Sequence, residues 1–203
     1  AGWQMISVPF ALTDSDPATA LGLLPGFVLY KYDPYLRQYV LADRLELGVG
    51  YWLKLPMPQT TAMMPGNYQP IQWARTQGYQ IPLEVGWNMI GNPYLYAVTL
   101  GEARFYHIDY GMMDYDQAVS RGLISRTVFW WDPVFRTYRW NKSGERSVQL
   151  KPWQGYWILA LRPGVTMSIS PVSQLGAAVG GVPIPPPEDG GGGLPPVPTS
   201  LSR

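Results

Sequence analysis

One stretch of this chain is written twice. Gly50-Tyr51-Trp52-Leu53-Lys54-Leu55 returns as Gly155-Tyr156-Trp157-Ile158-Leu159-Ala160-Leu161, 105 positions later. The same companions precede each copy in the same order. Gly2-Trp3-Gln4-Met5-Ile6-Ser7-Val8-Pro9-Phe10 matches Gly86-Trp87-Asn88-Met89-Ile90-Gly91-Asn92-Pro93-Tyr94 at a spacing of 84. An Asp-Pro-x-x-Arg-x-Tyr string stands at Asp33–Tyr39 and again at Asp132–Tyr138, 99 apart. Motifs in fixed order, with spacing that grows only between them, are what a duplicated supersecondary unit leaves behind. The growth falls between Leu95 and Thr127, where residues 116–121 read as a short helix ended by Gly122.

Each unit reads as short strands. Trp3 to Val8 is a strand stopped by Pro9, which has no donor for a ladder. Asp16-Pro17 opens a short helix, with Asp as N-cap and Pro at the first helical position; Ala18 to Leu24 would form it, closed at Pro25-Gly26. Phe27 to Tyr32 is β-branched and aromatic, Asp33-Pro34 turns, and Arg37 to Leu41 returns as the hairpin partner, Arg and Tyr alternating along it. In the second unit the hairpin is Phe129 to Tyr138. Thr60–Met64 and Thr166–Ile169 close the two units as a further strand each. The predicted fold is all-β with short helical inserts: two tandem repeats packed as a pseudo-two-fold β-sandwich or barrel. The boundaries are 1–64 for the first repeat, 65–85 for a junction with alternating runs at Ile71–Ala74 and a lead-in strand at Tyr79–Leu83, 86–171 for the second repeat, and 172–203 for an extended tail rich in Pro and Gly.

Composition narrows the function classes. Charged residues are 14% of 203, net charge is +1, and 14 Tyr and 9 Trp raise the aromatic share. Such a chain has no basic footprint for nucleic acid. The absence of cysteine excludes disulfides, thiolate metal sites and Cys nucleophiles. No apolar run approaches the ~20 residues of a membrane span. The start at Ala1-Gly2-Trp3 admits two readings, a trimmed chain or a mature N-terminus left by signal-peptidase cleavage at small residues.

The Gly86–Pro93 string together with Lys151-Pro152-Trp153-Gln154-Gly155-Tyr156-Trp157 resembles a tandem β-rich repeat of large bacterial secreted and cell-surface proteins. The resemblance covers residues 2–171. It implies export and a modular or structural role, with no catalytic or binding residues to carry over. The first copy departs from it at Gln4, which stands in place of Asn, and at Leu47-Gly48-Val49, which stands where the second copy has Pro152-Trp153-Gln154.

Catalytic patterns are missing. The single histidine, His107, cannot form a metal cluster alone, and nothing resembles a nucleophile elbow around a serine. Asp14 and Asp16, and Asp109, Asp114 and Asp116, are explained by capping and turns and do not follow calcium-loop spacing. Gly190 to Gly193 lacks the strand and helix of a phosphate loop. No cofactor is expected and no enzyme. Asn141-Lys142-Ser143 is a glycosylation sequon in an apparent hairpin loop, and Thr199 and Ser200 beside prolines are O-glycan candidates.

The aromatics and the tail carry the functional expectation. Trp3, Trp52, Trp87 and Trp157 belong to motif strands and hence to the core. Trp130 and Trp131 are adjacent, so one should face outward, where it could stack on a sugar or anchor an interface with Tyr35 or Phe135. The tail, with Leu175, Val179, Val182 and Ile184 as its apolar anchors, is expected to dock on a neighbouring subunit. A lead-in strand precedes Gly86 but not Gly2, which predicts a vacant sheet edge on the first repeat. Deleting residues 173–203 would then abolish assembly. These features together predict an extracellular, non-catalytic structural protein that self-assembles head-to-tail into a fibre or layer. The competing expectation is a carbohydrate-binding or adhesion module of a larger bacterial surface protein.

Overall fold

The computed structural model describes residues 2–59, 67–69, 78–141 and 145–170, with Tyr68 and Gln69 as backbone only. The first repeat contributes β1 (Trp3–Ser7), β2 (Ala11–Leu12), α1 (Pro17–Leu21), β3 (Val28–Asp33), β4 (Gln38–Leu41) and β5 (Gly50–Lys54). The junction contributes β6 (Tyr68–Gln69) and β7 (Tyr79–Leu83). The second repeat runs through β8 (Gly86–Gly91), β9 (Val98–Thr99), β10 (Arg104–His107), β11 (Gly111–Asp114), α2 (Tyr115–Ser120), β12 (Ile124–Asp132), β13 (Thr137–Trp140), β14 (Gln149–Leu150), β15 (Gly155–Ala160) and β16 (Val165–Ile169).

Two four-stranded antiparallel sheets correspond strand for strand: β1-β5-β3-β4 in the first repeat and β8-β15-β12-β13 in the second. The chain is therefore all-β with two short helices, and its repeats face each other about a pseudo-two-fold axis. The Gly-Tyr-Trp strand sits in the middle of each sheet and alternates as a pleated strand must. Trp52 and Trp157 point inward to a shared aromatic layer with Trp3, Met5, Met89, Trp131 and Tyr138. Tyr51 and Leu53 point the other way, into a core under α1. Tyr156 and Ile158 point into a larger outer core.

Matching hydrogen bonds show how the symmetry is held. Trp52 Nε1 donates to the Tyr39 hydroxyl at 3.1 Å, and Trp157 Nε1 donates to Tyr138 at 3.1 Å. The Tyr51 hydroxyl accepts from the Glu46 amide, as Tyr156 accepts from Lys151, both at 2.6 Å. The Tyr of Asp-Pro-x-x-Arg-x-Tyr is thus the acceptor that lets an indole be buried without an unmet donor. The Asp closes the turn: Asp33 accepts from Tyr35 and Leu36, and Asp132 from Val134 and Phe135. The Arg departs from the expected strand alternation. Arg37 (φ 53°) and Arg136 (φ 50°) are the left-handed last residues of the two turns, and β4 and β13 begin after them.

Where the sheets meet, backbone touches backbone. Ile6 bridges to Gln154 and Ile90 to Val49; the Ser7 amide donates to the Trp153 carbonyl (3.1 Å) and the Gly91 amide to the Gly48 carbonyl (2.9 Å). A Cβ on Gly50 would lie 2.9 Å from the Ile90 carbonyl oxygen, and one on Gly155 would lie 2.9 Å from that of Ile6. The glycine of Gly-Tyr-Trp is required by this close approach.

The outer faces differ. The second repeat is covered by a third sheet, β11-β10-β16-β7, and by α2. The residues added between Leu95 and Thr127 form the β10–β11 hairpin and α2, which Asp114 caps, and Gly122 (φ 65°) follows the helix. In the first repeat α1 is capped by Asp16 as the sequence suggested, but ends earlier, at a left-handed Gly22. The lead-in β7 pairs with β16, not alongside β8. The lead-in thus belongs to the third sheet and creates no difference between β1 and β8; β1 is an end strand of its sheet, paired with β5 and touched on its other side, among the described residues, by the Ile6–Gln154 bridge. Residues 60–64 and 71–74 lie outside the described residues.

Candidate functional site

A groove of about 520 Å³ lies where the β3–β4 turn of the first repeat meets β7 and β8. It is lined by residues 31–35 of the first hairpin, residues 46–49, and Tyr79, Gln80, Pro82, Glu84 and Asn88 among others. The turn holds Tyr35 out at 83% exposure because Asp33 ties down the two amides that follow it. Burial raises the pKa of Tyr32, which stays a neutral hydrogen-bonding phenol at ordinary pH. The Tyr79 hydroxyl donates to the Leu47 carbonyl at 2.7 Å and ties the junction to the first repeat.

Two carboxylates of the groove have structural roles. Asp33 is the turn acceptor, and Glu46 pairs with Lys31 at 2.9 Å. Glu84 also lines the groove, and its own amide donates to Asn88 Oδ1 at 3.0 Å. Asn88 itself is buried and bonded to Glu84 and Gly86. Among the described residues no group of His, Asp and Glu is arranged to hold a metal, and no helix is long and apolar enough to cross a membrane. His107 is buried, accepts from the Asp109 amide at 3.1 Å through Nδ1, and lies against Tyr110. Its observed work is to shape the β10–β11 turn.

The aromatic candidates separate. Tyr35 and Phe135 are exposed on hairpin tips, as expected. Of Trp130 and Trp131, which take opposite faces, only Trp130 keeps partial exposure. Trp131 is buried in the shared layer, 5.2 Å from Trp52, with its Nε1 donating to the Trp3 carbonyl. Trp130 is half-buried against the outer core beside Tyr156. Alternation does send them to opposite faces, but both faces of this sheet are covered. The expectation for Asn141 is corrected. It is 2% exposed, its Oδ1 accepts from the Val128 amide, and its Nδ2 donates to the Arg126 carbonyl. A glycan would need that nitrogen, which here is spent inside the fold. Leu175, Val179, Val182, Ile184, Thr199 and Ser200 lie outside the described residues.

Two exposed positions were missed by sequence reasoning. Leu41 on β4 is 70% exposed, and Trp140 at the equivalent place on β13 is 50% exposed. Both lie on edge strands, which among the described residues pair on one side only. Their equal spacing from the two Asp-Pro turns was the available sign. In comparisons with known proteins, the chain matches no family model, no curated sequence and no solved structure.

Proposed function

We propose that this is an extracellular, non-catalytic structural protein whose subunits associate through the two exposed hairpins. One observation carries the reading: the internal symmetry gives each subunit two quasi-equivalent sticky edges. Tyr35, Leu36 and Leu41 mark one, and Val134, Phe135 and Trp140 mark the other, all exposed. An edge strand offers unpaired backbone groups to another chain, and a large apolar side chain beside it favours pairing over solvation. A subunit with two such edges can bind a neighbour at each, and a contact that does not close on itself extends into a filament or layer. Export follows from the repeat resemblance and remains part of the same proposal.

Sedimentation velocity and negative-stain microscopy test this. The full chain should form extended oligomers that grow with concentration. Leu41→Lys and Trp140→Lys should each cap growth, and the double substitution should give monomers. A wild-type chain that stays monomeric throughout would remove the reading. The competing reading, a glycan-binding or adhesion module, keeps Tyr35 and Phe135 as surface rings, keeps Trp130 in part and loses Trp131. Glycan-array binding abolished by Tyr35→Ala would favour it.

A further inference from the structure

We propose that the groove beside Tyr35 is the seat of the chain's own proline-rich segment, Pro183-Ile184-Pro185-Pro186-Pro187, docked in cis. The first observation is where the described fold lets go of the chain. β16 ends at Ile169, which pairs with Tyr79 of β7, and Tyr79 lines the groove. The described fold therefore ends at Ser170, one residue beyond the partner of a groove-lining strand residue.

Reach is the second observation. Pro183 follows Ser170 by 13 positions. Such a spacer extends to about 45 Å at most and spans about 20 Å on average when flexible. A site adjacent to the tether meets its ligand at an effective concentration in the millimolar range, so weak contacts suffice.

Chemistry is the third. Consecutive prolines favour polyproline II, which has no internal hydrogen bonds and offers free carbonyls and a ridged apolar surface. Receptors for it are aromatic-lined grooves with a few donors. Here Tyr32 and Tyr35 give rings and hydroxyls, and Pro34 and Pro82 give apolar walls. Charge fixes the register. Asp33, Glu46 and Glu84 outweigh Lys31 along the groove, so the uncharged Pro183–Pro187 run fits, and Glu188-Asp189 is excluded beyond its end. The pseudo-equivalent tip at Val134 does not line this groove. Tyr35 also marks one of the proposed subunit edges, but the inference does not require assembly: Leu41 and Trp140, whose substitution tests assembly, do not line the groove.

The test uses the full chain with a benzophenone amino acid in place of Tyr35, irradiated and mapped by mass spectrometry. Crosslinks should fall within 183–187 and should vanish when the probe is moved to Val134. In an equimolar mixture of light and ¹⁵N-labelled chains, each crosslink should join fragments of one isotope. Mixed-isotope pairs would overturn docking in cis in favour of a second copy. No crosslink to the tail would overturn the occupant itself, and glycan binding lost in Tyr35→Ala would name the replacement. As a second measurement, Pro185→Asp with Pro186→Asp in the unmodified chain should raise exchange or tumbling of the tail resonances by NMR; an unchanged spectrum beyond the substituted sites counts against the proposal.

Discussion

Gly48 and Trp153 occupy equivalent places in the two repeats and share a left-handed backbone, φ 78° and 67°. Their surroundings differ. A Cβ on Gly48 would lie 2.4 Å from the Tyr79 ring, because the junction strand crosses there. Trp153 instead lays its indole against Phe10, 5.3 Å between centroids, and is 39% exposed. The carbonyls of both residues accept the same inter-repeat hydrogen bond. Symmetry is therefore enforced where backbone meets backbone, and each repeat is free to diverge one bond further out.

Breaking the symmetric part should cost most. Gly50→Ala and Gly155→Ala each push a Cβ into backbone of the other repeat, and each should destabilise the fold by about 3 kcal/mol in urea titration. Near-equal losses would confirm that the two corners are equivalent; a loss at one alone would break the comparison. Next comes a position where the repeats share backbone but not side chain. Ala42 and Asn141 donate through their amides to Leu29 and Val128, yet only Asn141 reaches on to Arg126 and Tyr115. Asn141→Ala should cost about 2 kcal/mol, since it takes the side-chain acceptor from the buried Val128 amide and leaves the Arg126 carbonyl with the Tyr115 hydroxyl alone of its two side-chain donors. Ala42→Ser, on a half-buried site, should change the urea midpoint little. Intact-mass measurement after expression in a glycosylating host should show no glycan on Asn141.

A smaller effect separates Gly48 from Trp153. Gly48→Ala should cost about 1 kcal/mol through strain and the Tyr79 contact. Trp153→Gly should lie within about 1 kcal/mol of wild type, relief of the left-handed strain offsetting lost packing on Phe10. A large loss at Trp153 would mean that its indole is part of the core. The smallest effect is electrostatic. The Phe135 amide above all, with Arg139 and the Val134 amide, holds the half-buried Asp132 carboxyl below its ordinary value of 3.8. Because its folded pKa is lowered, its contribution is present above that ordinary value and is lost as pH falls through the folded one. Asp132→Asn should flatten the acid limb of a stability-versus-pH curve, lowering stability slightly at neutral pH and leaving it nearly unchanged at low pH.

The repeat, its strands and its inward tryptophans were legible in the sequence because each rests on local pattern. Period-two alternation around Gly-Tyr-Trp sends Trp52 and Trp157 to one face wherever the strand lies. Asp16-Pro17 and the Asp-Pro turns are set by capping and turn chemistry within a few residues. The outer faces were not legible in this way. That Trp130 is half-covered and Asn141 buried depends on the β10–β11 hairpin, α2 and the paths of distant loops, and no local period encodes those. The groove was equally hidden, since Tyr35 and Pro82 become neighbours only when the two repeats face each other.

By itself the sequence determined that two copies of one β unit exist and which side of each central strand is apolar, because alternation and turn chemistry act over neighbouring residues. Only the tertiary structure decided which face of each sheet would be covered, that the lead-in strand would join β16, and that a groove would open beside the first hairpin. Those outcomes depend on contacts between residues far apart in the chain, where packing and backbone approach, not local propensity, set the free energy.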